Sequence, residues 1–183
     1  MSSLRHNLIV ASVLFIALGS LVAATSLGAQ GGASAKDPAL GTWKENVQKS
    51  TYNPGPAPKT GALRRYELRP DGFTVVTQTN VDAQGNPTLA LSAFKIDGRE
   101  YPNYNRATIA ELLATGTKTK GTTSAKLVDA YTVIVTQRND AGVVGIPTTR
   151  TVSKDGKTMT STTKGTNAQG QAVNNVVIFD RVQ

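Results

Sequence analysis

The chain has 183 residues, no cysteine, one histidine and a formal net charge of +8. Once an N-terminal export segment carrying Arg5 and His6 is set aside, what remains cannot build a disulfide, a thiolate nucleophile, a histidine-based triad or an imidazole metal site. The remaining 19 Lys and Arg against 12 Asp and Glu, a net +7, favour anionic partners, but acids are interspersed throughout and only Arg64, Arg65 and Arg69 approach a cluster, so nucleic acid is not expected.

In chain order, a short region with Arg5 precedes an apolar stretch from Leu8 to about Ala24, broken only by Ser12, Gly19 and Ser20. This is the layout of a secretory signal. Val22-Ala23-Ala24 and Ala33-Ser34-Ala35 place small residues where signal peptidase reads, with Ala29 as a third site. Residues 1–24 are therefore expected to be a signal peptide, with cleavage between 24 and 35. The competing reading is an uncleaved anchor helix, because the stretch approaches the roughly 17–20 apolar residues that span a bilayer. Without cysteine there is no lipobox, so the expected product is periplasmic or secreted and not a lipoprotein. Residues 25–37 read as a flexible leader. Residues 38–183 read as one domain, long enough to rely on its core without disulfides.

The domain is punctuated by Asp71-Gly72, Asp97-Gly98 and Asp155-Gly156, dipeptides that tolerate the positive φ of tight hairpin turns. Further turn signals lie at Ala83–Asn86, Asn139–Gly142 and Ala168–Gln171, and the intervals are rich in Val, Ile, Thr, Tyr and Phe. Strands are predicted over Thr42–Asn46, Ala62–Arg69, Phe73–Val81, Thr88–Ile96, Thr122–Val128, Tyr131–Arg138, Val143–Val152, Lys157–Gly165 and Val173–Val182. Alternation puts Phe73, Val75 and Val81 on one face and Tyr131, Val133 and Val135 on another, leaving Thr, Gln and Lys opposite. The fold class is therefore all-β: an antiparallel up-and-down barrel of about 8–10 strands, with one short helix besides the signal helix. A similar hairpin solution occurs twice, at Asp71–Gly85 and Asp155–Gly170. Two stretches depart from the meander. Residues 47–61 hold Pro54, Pro56 and Pro58, a stiff connector that cannot enter a sheet interior. Residues Arg106–Gly116 place Ile109, Leu112 and Leu113 at helical spacing, for a helix that either plugs the barrel or acts as a lid.

Gly41-Thr42-Trp43, just after Asp37-Pro38, resembles the Gly-x-Trp signature that opens the barrels of lipocalins and fatty-acid-binding proteins. Together with Gly41–Asn46, Lys49–Tyr52, Pro54–Pro58, Ser153–Thr158 and Lys164–Gly170, it is similar to a family of small exported bacterial proteins described as lipocalin-like. That resemblance implies a calycin-type barrel outside the cytoplasm, with no catalytic residue to carry over. It also implies that Gly41 and Trp43 close the barrel floor and that Arg181, from the last strand, packs across the tryptophan ring.

For the interior, Ala62, Arg64, Tyr66 and Leu68 share one face, and Ile146, Thr148, Arg150 and Val152 share another. Arg64 and Arg150 are therefore candidates for inward guanidiniums, whose natural partner is an internal carboxylate or that of a ligand. With Tyr66 and Tyr131 they form the candidate ligand-binding set; the competing reading leaves both arginines in solvent. The Asn80–Gly85 loop has Leu91 where a calcium loop needs Glu, so no metal is expected, and no cofactor is expected either. Asp97, Arg99, Glu100 and Tyr101 gather around one turn. Three functions stay open: a non-catalytic exported barrel binding a small apolar or amphipathic molecule, anionic or neutral, through an opening near 106–116; a filled-core interaction module docking on an anionic envelope surface or a partner protein; and an enzyme using Tyr, Asp, Glu and Arg.

Overall fold

The computed structural model describes residues 36–81, 84–104, 107–108 and 119–182. Eleven strands follow one another: β1 (Gly41–Glu45), β2 (Leu63–Leu68), β3 (Thr74–Val81), β4 (Pro87–Phe94), β5 (Glu100–Tyr104), β6 (Ala107–Thr108), β7 (Thr119–Leu127), β8 (Thr132–Arg138), β9 (Thr148–Val152), β10 (Thr158–Thr166) and β11 (Ala172–Val182). All pairings are antiparallel, and almost every neighbour in the sheet is a neighbour in the chain. Pairing of β3 with β4 and of β1 with β11 closes the sheet on itself. Because the two-residue β6 only extends the cover of β4, the wall is a closed ten-strand barrel, and closure removes the exposed strand edges of an open sheet.

Turn chemistry explains the ends of the strands. Asp71, Asp97, Asp129 and Asp155 each accept a hydrogen bond from the backbone N–H two residues ahead, the local bond that makes Asp a turn residue. β7 and β8 approach closely at Gly121, which has φ +75°; a Cβ there would lie 1.9 Å from the Arg138 carbonyl oxygen, so only glycine fits. β11 is longer than β1, and the surplus edge is covered by the chain after β1. Asn46 N–H donates to Ile178 O, Thr51 exchanges both backbone bonds with Val176, and Asn174 N–H donates to Asn53 O. The predicted connector thus begins as a strap on the barrel, and its proline-rich part stands exposed.

The floor is the larger of two buried clusters, made of Ala39, Trp43, Tyr66, Val152, Met159 and Phe179. Burying a ring system of tryptophan's size removes some 150–250 Å² from water, worth about 4–6 kcal/mol before conformational entropy is charged against it. Arg181 locks this floor. Its guanidinium carbon lies 4.1 Å from the centre of the Trp43 ring, and it donates to the carbonyls of Pro38, Leu40 and Gly156 at 2.6, 2.8 and 2.5 Å. Trp43 Nε1 in turn donates to Ala39 O at 2.7 Å. Gly41, at φ +118°, leaves the room: a Cβ there would sit 2.8 Å from Arg181 Nη1. Residues 38–40 are thereby fixed across the barrel end. Ser34–Gln183 forms a compact unit by itself.

Two expectations need correction, and one strand was missed. The inward face of β3 carries Thr74, Val76 and Gln78, not the Phe73–Val75–Val81 set: Val76 and Gln78 line the interior, and Val81 is exposed. The strand read as beginning at Val143 begins at Thr148, because Val143–Pro147 forms a loop held by one bridge to Arg138 and Pro147 has no N–H for a ladder. A strand at Glu100–Tyr104 was not foreseen; Pro102 is accommodated there by a register shift between Pro102 and Tyr104, the kind of irregularity that tolerates proline. The helix predicted over 106–116 lies mostly outside the described residues, and its Ala107–Thr108 portion is strand.

Candidate functional site

Inside the wall, above the floor, is a cavity of about 410 Å³, within the range of small-molecule sites. β2 and β9 deliver its charged groups by simple alternation: Arg64 and Tyr66 from one, Thr148 and Arg150 from the other. Among the described residues, the cavity lining holds two guanidiniums and no carboxylate.

Arg150 is 2 % exposed. Its counter-charge among the described residues is Asp37, whose two carboxylate oxygens accept from the single nitrogen Nη2 at 2.9 and 2.8 Å. Asp37 Oδ1 also accepts from the Ala39 N–H at 2.9 Å, so the carboxylate is held by its own turn. A guanidinium has five N–H donors. Those on Nε and Nη1 of Arg150 are buried without a partner among the described residues. Its guanidinium carbon stacks 5.1 Å from the centre of the Tyr66 ring.

Arg64 approaches the same tyrosine from β2. Its Nε and Nη2 donate to Gln78 Oε1 at 2.9 and 2.6 Å, and Nη1 reaches Tyr66 Oη at 3.4 Å. The guanidinium carbon lies 4.6 Å from the centre of the Phe179 ring. Arg64 is therefore positively charged with only neutral hydrogen-bond partners, while Arg150 has one anion and unspent donors. Two cations facing a poorly solvated interior, with Asp37 paired to Arg150, leave a net positive site among the described residues, and the field of an unpaired charge is strong there.

Ser161, opposite Arg150 in the β9–β10 register, adds a hydroxyl to the lining. The rest of the lining is mixed. Val76, Ala90, Phe94, Val135 and Ile146 provide apolar walls, and Ser92, Asn103, Thr123 and Gln137 provide hydrogen-bonding groups. Ser92 Oγ donates to Asn103 Oδ1 at 2.6 Å. An outer recess of about 640 Å³ shares Asn103, Gln137, Ile146 and Thr148 with the inner cavity and reaches Val143, Val144 and Asn167. Those shared residues place an opening at the β8–β9 loop and the β10–β11 turn. The opening expected near 106–116 falls largely outside the described residues.

Of the candidate binding residues, Arg64, Tyr66 and Arg150 are brought together and Tyr131 is not. Tyr131 precedes β8 in the turn after β7, is 39 % exposed and does not line the cavity, because the strand begins one residue later. Gly41, Trp43 and Arg181 meet at the floor as described. The Asp97–Tyr101 group is an exposed turn: Tyr101 Oη donates to Asp97 at 2.8 Å, Glu100 pairs with Arg138 at 3.1 Å, and the bond from the Arg99 N–H holds Asp97 below the usual carboxylate range. Asp37 is the residue that sequence reasoning missed, having been assigned to the leader. Among the described residues, no group of three potential metal ligands occurs, and no helix is long and apolar enough to cross a membrane.

No family model matches the sequence, and no curated protein matches it. Among solved structures, the wild-type fluorescent protein UnaG aligns over 78 % of this chain and 96 % of its own, at 16 % identity and a TM-score of 0.50. A redesigned β-barrel aligns over 82 % of this chain and 96 % of its own, at 11 % identity and a TM-score of 0.46. At such identity the likeness to UnaG is one of fold. The chain is a closed ten-strand antiparallel barrel resembling those of lipocalins and fatty-acid-binding proteins.

Proposed function

We propose that this protein is an exported, non-catalytic barrel that binds a small amphipathic anion in its interior, with the anionic group at Arg150 and Arg64 against Tyr66. The observation that carries the reading is the buried Arg150 guanidinium with Nε and Nη1 unpartnered at the cavity wall. Leaving a buried donor unsatisfied costs about 1–3 kcal/mol, more for a charged group, and an incoming carboxylate would recover that penalty. Barrels of the kind this fold resembles are hollow, which supports the same reading. The cavity weighs against a filled-core module. Export rests on the signal-like layout of residues 1–24 and the small-residue sites that follow it.

The test is titration of an anionic amphipathic dye, anilinonaphthalene sulfonate, into the wild-type barrel and into Arg150→Met. Enhanced fluorescence at the wild type, displaced by a medium-chain carboxylate and weakened at least about tenfold in the variant, is the expected result. Equal binding by the two proteins, or displacement by the matching alcohol as well as by the acid, would overturn the reading.

A further inference from the structure

A second unpartnered polar atom lines the same cavity. Thr123 is 1 % exposed, and its hydroxyl is buried without a partner among the described residues. Across the β7–β8 ladder it stands opposite Gln137, which also lines the cavity. Most buried hydroxyls are hydrogen-bonded, and those that are not call for an explanation. On a strand facing a cavity, an unsatisfied hydroxyl beside a carboxamide makes a second polar focus, apart from the guanidiniums.

The spacing of the two foci follows from register. Arg150 stands opposite Val133 on β8, and Thr123 stands opposite Gln137 on the other edge of the same strand. Four residues along β8 are about 14 Å, and crossing from β7 to β9 adds about 10 Å sideways. Together these put the two backbone positions roughly 17 Å apart along the wall, with Val135 between them on β8, and both side chains line the one cavity. The walls contributed by Val135, Ile146 and Phe94 are apolar.

Building on the reading of the cavity as an anion site, we infer that its ligand is bifunctional: a carboxylate at one end, an apolar middle and a hydrogen-bonding group at the other end, taken by Thr123 and Gln137. A simple fatty acid satisfies only the first focus. An ω-hydroxy or ω-oxo acid satisfies both, and the apolar walls between them hold the connecting chain. The discrimination comes from the far end, where an acid without the polar group leaves the Thr123 hydroxyl as unsatisfied as before.

The experiment is calorimetric titration of the wild-type barrel, Thr123→Val and Gln137→Leu with decanoate, ω-hydroxydecanoate and decanol. Thr123→Val keeps the shape of the side chain, so the fold survives the change, and circular dichroism checks that it does. The hydroxy acid is expected to bind the wild type about 3- to 10-fold more tightly than decanoate. Each variant should lose that advantage, so that the hydroxy acid binds it no more tightly than decanoate does. Equal affinity of the two acids for the wild type, or an advantage that persists in both variants, overturns the second focus while leaving the anion site intact. Failure of either acid to bind better than decanol overturns the anion site and this inference with it.

Discussion

The Asp37–Arg150 pair offers the sharpest test of how the barrel interior is built. Asp37 and Arg150 side chains are 12 % and 3 % exposed, with 2.8 Å between them. Removing one member of such a pair strands the other charge in a poorly solvated place, a change that costs about 3–5 kcal/mol. Asp37→Leu and Arg150→Met should each destabilise by that order, which for a domain of this size lowers Tm by roughly 10 °C or more. The double variant removes both charges together with the unspent donors of Arg150. It should recover most of the loss, because a buried ion pair is often no more stable than well-packed apolar side chains. Urea denaturation followed by Trp43 fluorescence, on the two single variants and the double, gives the coupling energy directly, and more than about 2 kcal/mol is expected. Single variants that each lose less than about 1 kcal/mol, with an additive double, would refute the argument that Arg150 is held as a desolvated charge by the segment before β1.

Arg181→Ala should be at least as harmful, since it removes three bonds to carbonyls and the ring contact on Trp43; a loss of about 3 kcal/mol or more by urea denaturation and a red shift of Trp43 emission are expected. Gly121→Ala should destabilise by at least about 1–3 kcal/mol, read as a fall in Tm, because the added carbon meets the Arg138 carbonyl and the φ is positive. Tyr52 donates to Glu45, and burial, reinforced by that bond, pushes its pKa up to about 12. A raised folded-state value means that its stabilising contribution is whole below pH 10 and is lost as pH rises from 10 through 12. Ultraviolet titration should show one late-ionising tyrosine that disappears in Tyr52→Phe, and stability in that variant should fall less steeply over the same window.

Much of the barrel could be read from the chain because its strands obey two simple constraints. Asp-Gly turns mark the hairpin ends at 71, 97 and 155, and alternation along β9 and β11 places Arg150 and Phe179 inward beside their apolar neighbours. The same alternation misleads on β3. There the rule that apolar side chains face in selects Val75, while the interior takes Thr74, Val76 and Gln78, because a polar cavity reverses the usual preference. β5 escaped notice because Pro102 and a cluster of charges at 97–101 look like an extended turn, and only a register irregularity lets them pair. Tyr131 matched the inward face of β8 by parity, yet it lies just before the strand begins. Asp37 was hidden for a different reason. Nothing local marks a carboxylate next to a Gly-, Ala- and Ser-rich segment as the partner of an arginine 113 residues away; only closure of the barrel brings the two together. Thr123 likewise stands out only once its burial and lack of a partner are seen.

The most direct test of an anion-binding interior is native mass spectrometry of the barrel, purified from a host that exports it, compared with its denatured mass and with Arg150→Met. The account predicts a small acidic molecule bound to the wild type, released on denaturation and missing from the variant. A neutral molecule retained equally by both proteins would contradict it.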